Sequence, residues 1–181
     1  MPADRFVALL KSAGVTAVAD VRSVPFSRRF PWFSGKALAP RLAREGIGYL
    51  PFGDALGGRP RDETLYRDGI ADYEAMAARA EFRAGLDRVV EHARRHCVCL
   101  MCAEREPLDC HRCLLVGRAL AQRGFAIGHI LATGTIEPQA ATEDRLLATI
   151  KADPDLFRDR AARLADAYRA RTQKVAARKK D

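Results

Sequence analysis

Apolar and polar positions along the chain recur at two different periods, and each period predicts an element. Phe6, Val7, Leu9, Leu10 and Val15 suggest a short amphipathic helix ending at Gly14. Val15–Val21 follows as a continuous, β-branched apolar run, the mark of a buried strand. Arg22–Ser34, broken by Pro25 and Pro31, reads as loop. Ser34 is placed to cap a helix over Lys36–Glu45, which stops at Gly46. Ile47–Phe52 is a short strand, and the glycine-rich Gly53–Arg61 reads as loop. Helices are predicted over Ala71–Ala78 and Glu81–His96, the second striped by Phe82, Leu86, Val89, Val90 and Ala93.

Cys97–Cys102 is the clearest buried strand by pattern, and Ala103–Leu108 is loop. Asp109 is a fair cap for a helix over Cys110–Arg123, closed by Gly124. Phe125–Leu131 predicts another strand and Glu143–Lys151 another helix. Asp153-Pro154 starts a last helix whose face carries Leu156, Phe157, Ala161, Leu164, Ala165 and Tyr168, fraying into Arg178-Lys179-Lys180. Strands alternating with helices predict an α/β fold: a mostly parallel sheet with helices on both faces. The division expected is one domain over residues 1–150 and a basic C-terminal helix and tail over 151–181.

At 181 residues, with 48% hydrophobic and 30% charged positions, the chain has room for one core and too much apolar content to be disordered. No run nears the roughly 18 apolar residues of a membrane span, and no basic-then-apolar leader opens the chain. The expectation is therefore a cytoplasmic protein without membrane partners. The net charge of +8 is uneven. Residues 151–181 hold ten basic against five acidic groups, and Asp20–Arg61 holds eight against three, interleaved with Phe26, Phe30, Trp32, Phe33, Tyr49 and Phe52. Such a segment could grip a polyanion and stack on bases, or cover an aromatic minicore as solvated surface. The tail, with Asp155, Asp159 and Asp166 interleaved, reads as a solvated helix rather than a polycation.

Five cysteines do not make a disulfide scaffold; they argue for reduced thiols, a metal site or a reactive thiol. Two groups could carry chemistry. Asp20 and Arg22 leave the first strand at the sheet edge where α/β folds bind ligands. Arg22 could clamp a phosphate or carboxylate and Asp20 could orient it or act as a base; equally, the two could pair to tie down the loop. Cys102 and Glu104 leave the later strand at the same edge, and Cys110, His111 and Arg112 open the next helix, a setting for an anion or a stabilised thiolate. Glu104 or Asp20 is the acid–base candidate, and Cys102 or Cys110 a nucleophile or metal ligand. Cys99-x2-Cys102 and Cys110-x2-Cys113 resemble zinc knuckles, but alternation along a strand turns Cys99 and Cys102 to opposite faces, so no structural zinc is assigned. A mixed site of Cys102, Glu104, Cys110 and His111 is a further option. Leu56-Gly57-Gly58-Arg59 offers a close backbone approach and one more cation, Arg59, for an anion; a plain turn is the simpler reading. His129 reads as hydrogen-bonded structure.

Asp20-Val21-Arg22-Ser23-Val24-Pro25-x-Ser27, then Leu56-Gly57-Gly58, Cys102-Ala103-Glu104, Cys110-His111-Arg112 and His129-Ile130, in that order, resemble the DUF488 family, a domain of unknown function. The likeness runs from Phe6 to about Leu147 and implies a fold and a candidate site, not a reaction. One departure stands out. The family's usual first strand, with a Thr-Ile-Gly-His-Ser-like segment supplying a His and a Ser to this sheet edge, does not precede the first helix here. Either that strand is absent or the start lies too late. The function expected is an anion-binding site at the strand C-termini, in an enzyme acting on a phosphorylated or nucleotide-like substrate. The alternative is a nucleic-acid-binding module that uses the Arg-rich loop and the basic tail.

Overall fold

A computed structural model describes residues 1–149 and 159–179. Asp153-Pro154, Leu156 and Phe157, read above as the start of the last helix, lie outside the described residues. The architecture is α/β. Its main sheet has three strands in the order β2-β1-β5, formed by Gly48–Pro51, Ala17–Asp20 and Val98–Met101, and both pairings are parallel. β1 is central and wholly buried because both its edges are paired and both its faces are covered.

Alternation along β1 assigns its side chains to two cores. Val18 packs with Val7 and Leu10 of α1 (Ala3–Ser12) and with Leu38 and Leu42 of α2 (Gly35–Arg44). Ala19 and Val21 face the larger core, with Leu56 of α3 (Gly53–Leu56) and Phe82, Leu86 and Val89 of α5 (Ala80–Ala93). The i, i+4, i+7 stripe of α5 thus falls where its periodicity predicts. Leu38, Leu42 and Leu56 are completely buried, sites where truncation to alanine costs about 2–5 kcal/mol.

Several elements differ from the sequence reading. Gly53–Arg61 is not all loop: its first four residues form α3, whose purpose is to bury Leu56. Cys97–Cys102 is not a buried strand but the sheet's edge, with Cys97 exposed and only Met101 of β5 fully covered. Ser34 heads α2, yet its hydroxyl accepts from the backbone N–H of Ser27 (3.1 Å) instead of capping the helix. A small hairpin, β3 (Tyr66–Arg67) and β4 (Ile70–Ala71), precedes α4 (Tyr73–Ala77). Its turn residues Asp68 and Gly69 both have positive φ, 52° and 73°, as a tight Asp-Gly hairpin turn requires.

Asp109 caps nothing. It ends a 3-10 turn over Pro107–Asp109 and forms an ion pair with Arg171. The helix beyond is wound wide, as π-helix, over Arg112–Gly117 before continuing as α6 (Arg118–Gln122). The strand expected over Phe125–Leu131 is shorter, Gly128–Ile130 (β6), and does not join the main sheet. It pairs antiparallel with β7 (Ile136–Pro138), and α7 (Gln139–Ala148) starts directly after Pro138. The C-terminal α8 (Arg160–Val175) is docked: Ala167 and Tyr168 belong to the larger core. Three of its basic residues have partners: Arg160 pairs with Asp144, Arg169 with Asp166 and Glu74, and Arg171 with Leu108 O and Asp109. The segment after it straps the hairpin, Ala71 N–H donating to Ala177 O and Lys179 to Glu63. Among the described residues no helix is long and apolar enough to cross a membrane.

Candidate functional site

Parallel pairing brings the C-terminal ends of β1 and β5 to one edge of the sheet. Two polar groups grow there from the two strands. The first is a closed knot. Asp20 Oδ1 accepts from the backbone N–H of Arg22 (3.1 Å) and from its Nε (2.8 Å); Oδ2 accepts from an Arg22 terminal nitrogen (2.5 Å) and from the Tyr49 hydroxyl (2.6 Å). Asp20 is 1% and Arg22 7% exposed. Both carboxylate oxygens are engaged twice, so Asp20 has no lone pair left to take a proton from a substrate. Burial, then the hydrogen bond to this anion, pushes the Tyr49 hydroxyl upward, so it stays protonated and donating. Of the two readings of Asp20 and Arg22, this geometry favours the pair that ties down the loop.

The second group is open. Cys102 and Glu104 follow β5; Cys110 and His111 sit where the chain turns from the 3-10 turn into the wide helix. Glu104 Oε2 accepts from the thiols of Cys102 (2.8 Å) and Cys110 (3.1 Å). His111 Nδ1 lies 3.4 Å from Cys102 Sγ and 4.0 Å from Cys110 Sγ. Its other nitrogen, Nε2, is 2.8 Å from Val21 O, an acceptor only, so Nε2 carries a proton and donates it. The Nδ1 lone pair is thereby left toward the sulfurs when the ring is neutral. The four groups, from two stretches of chain, have one donor atom each within 4.8 Å of all the others.

Electrostatics separates the thiols. Burial opposes ionisation of Cys110, but hydrogen bonding with Cys102 and His111 and the charge of Arg112 outweigh it and pull the thiol down. The backbone N–H of Arg112 also points at Cys110 Sγ (3.4 Å). Cys102 moves up, through its hydrogen bond to Cys110, its burial and the nearby negative charges, and keeps its proton longer. Glu104 is partly desolvated, yet the two thiol donors hold it below the usual carboxylate range.

Cys102, Glu104 and His111 line a cleft of about 840 Å3, while Cys110 is buried beside them and does not line it. Five arginines, Arg5, Arg22, Arg59, Arg105 and Arg112, line it against two carboxylates, Glu104 and Asp109. They are not equivalent. Arg112 spends its guanidinium on the carbonyls of Glu104 (2.5 Å) and Arg105 (3.1 Å), fixing the loop that carries Glu104. Arg22 is held by Asp20. Among the described residues the guanidiniums of Arg59 and Arg105 have no hydrogen bond or ion pair. Exposed Phe26 lines the same cleft, and Trp32, half exposed, packs at a tilt against Phe30 beside it.

The zinc-knuckle pairs do not form: Cys99 packs in the core beside α1 and α2, and Cys113 is buried in the wide helix. His129 is bonded to Gln139 (2.7 Å), which donates to the Tyr168 hydroxyl (2.6 Å), a buried chain away from the cluster. Two contributors escaped the sequence reading, and a third was read there only as a close backbone approach or a turn. Tyr49 reaches Asp20 from another strand. Tyr73 lines the cleft, its hydroxyl pushed up by burial and by the nearby cysteines and Glu104. Gly58 packs on the imidazole: a Cβ there would lie 2.6 Å from His111 Cγ. The Gly57-Gly58 pair was the only signal of that contact, and it reads equally as a turn.

The protein-family model described as "Domain of unknown function DUF488" matches residues 2–119, roughly two thirds of the chain, including every residue of the knot and the cluster. No curated protein and no solved structure matches the chain.

Proposed function

The chain belongs to the DUF488 family, and we propose that it is an enzyme acting on a phosphorylated, nucleotide-like anion bound in this cleft. The observation that carries the reading is the convergence of Cys102, Glu104, Cys110 and His111, three of which (Cys102, Glu104 and His111) line a cleft whose walls hold uncommitted arginines. Arg59 and Arg105 take the anion, because each keeps its donors free. Phe26 offers a face for a base. Tyr73 supplies a hydroxyl donor. Glu104, the one carboxylate of the cluster, moves the proton, since Asp20 is saturated. Arg22 and Arg112 act through the loops they fix.

A second reading keeps the cleft but lengthens the ligand. Val24 and Phe26 are 64% and 66% exposed, beside Arg28 and Arg29, and such a surface fits single-stranded nucleic acid. α8 supports this reading less, because it is docked through Ala167 and Tyr168 and its Arg160, Arg169 and Arg171 are ion-paired.

Trp32 is the chain's one tryptophan and a built-in reporter. Its fluorescence is followed while inorganic phosphate, nucleoside monophosphates and a single-stranded oligonucleotide are titrated across a salt series. Saturable binding of the monophosphates, weakened about tenfold or more in Arg59→Ala/Arg105→Ala, is expected from the loss of charged hydrogen bonds. Preference for the oligonucleotide with a steep salt slope selects the second reading. Absence of any saturable response contradicts both.

A further inference from the structure

The cysteines of the cluster could attack a substrate or hold an ion, and the geometry decides between these roles. We propose that Cys102 Sγ, Cys110 Sγ, His111 Nδ1 and one oxygen of Glu104 are the ligands of a single zinc-type transition-metal ion. This deepens the reading of the cluster as the reacting centre and rests on it.

The first argument is distance. Zinc bonds of about 2.0–2.3 Å in a tetrahedron put ligand atoms about 3.3–3.8 Å apart. The observed separations are 2.8, 3.1, 3.4 and 4.0 Å, and none within the set exceeds 4.8 Å. Shifts of about an ångström or less, within the reach of side-chain rotation, complete the polyhedron. The second is orientation. A metal-bound imidazole characteristically donates its other N–H to a carbonyl or carboxylate, which fixes tautomer and ring angle. His111 does this to Val21 O at 2.8 Å, and Gly58 abuts the ring so closely that a Cβ there would lie 2.6 Å from its Cγ. Nothing in a plain packing role for His111 requires the free nitrogen to face two sulfurs.

The third is charge. Bound as thiolates, Cys102 and Cys110 would join the Glu104 carboxylate as three anionic donors in one pocket, and a dication is the partner that offsets such a set. Ligand softness then selects the metal. Two sulfurs and an imidazole favour zinc and its neighbours over magnesium or calcium, which take oxygen shells. Burial is graded across the set: Cys110 and His111 are buried, Cys102 is half-buried and Glu104 is exposed. Two ligands are therefore deep, Cys102 is half-covered, and Glu104 is at the mouth. A Cys2His face with an exchangeable fourth position toward the cleft is the layout of a catalytic rather than a structural zinc site.

The test uses the full chain, kept reduced with a phosphine and stripped of metal, titrated with cobalt(II) as a spectroscopic stand-in. Expected are sulfur-to-cobalt charge-transfer bands and the intense visible bands of tetrahedral cobalt, saturating at one ion per chain. They disappear in Cys102→Ser and Cys110→Ser and persist in Cys97→Ser and Cys99→Ser. In case a serine variant fails to fold, the wild type alone gives a second readout: of the five thiols, two lose reactivity toward a thiol reagent when the metal is added. Absent bands with unchanged thiol reactivity, or bands that survive Cys110→Ser in a folded protein, overturn the proposal. Neither readout uses a phosphate ligand or turnover. Metal binding without anion binding therefore removes the proposed function and leaves the ion site, and the reverse result does the opposite.

Discussion

The same sheet edge carries two polar groups that do opposite things. The Asp20–Arg22–Tyr49 knot is complete: every carboxylate oxygen is met by a donor, and the charges cancel inside the core. The Cys102–Glu104–Cys110–His111 cluster is incomplete: its carboxylate is shared by two thiols, and one imidazole nitrogen faces sulfur rather than a committed donor. A closed knot holds the chain in place. An open one invites a further partner. Polar residues at a strand's C-terminal end are thus no guide by themselves to binding; what matters is whether they satisfy one another.

Breaking the knot has the largest expected effect on stability. Asp20→Ala strands a buried guanidinium and the Tyr49 hydroxyl, so denaturant unfolding should show a loss of about 3–5 kcal/mol. Breaking the cluster should leave the fold and remove the ligand. Gly58→Val pushes a side chain into His111, with cobalt affinity expected to fall about 10- to 100-fold. The fold should lose no more than the roughly 1–3 kcal/mol of an overpacked site, as read from the unfolding midpoint. Equal damage to stability from Gly58→Val and Asp20→Ala would erase the distinction.

The smallest effect calibrates the knot. Arg145 grips Glu137 with nearly the same fork, 2.8 and 2.7 Å, but the Arg145 side chain is 42% exposed against 8% for Arg22. Glu137→Gln should therefore cost only about 0–1 kcal/mol at neutral pH. The hydrogen bonds from Arg145 hold the Glu137 carboxyl below its ordinary range, against the small effect of burial. A depressed carboxyl stabilises the fold above its unfolded value and loses that contribution as pH falls through the folded one. The difference between wild type and Glu137→Gln should accordingly shrink on acidification and be flat above neutrality, in denaturant unfolding repeated across pH.

The residues of both groups were legible in the sequence because each sits at a boundary that local pattern marks. Asp20 and Arg22 end an apolar run; Cys102 and Glu104 end another; Cys110 and His111 open a helix after Pro107 and Asp109. Their sorting into a closed and an open group was not legible. Tyr49 meets Asp20 only because β2 pairs with β1 in one register, Val18 opposite Tyr49 and Asp20 opposite Pro51. The edge position of β5 was hidden by its apolar sequence, since Val-Cys-Leu-Met reads the same on an edge as at a centre. β7, with the sequence Ile-Glu-Pro, is too short to show a period. The Asp68-Gly69 turn was a readable hairpin signal, although its flanking strands are only two residues each.

The most direct test of the contrast is the thermal unfolding midpoint of wild type and Cys110→Ser, each metal-free and with a small excess of zinc. A ligand that binds only the folded state raises the midpoint in proportion to the logarithm of its concentration over Kd. The account predicts a zinc-dependent rise in wild type and none in Cys110→Ser, with both metal-free proteins unfolding cooperatively. A rise of equal size in both, or in neither, would contradict it.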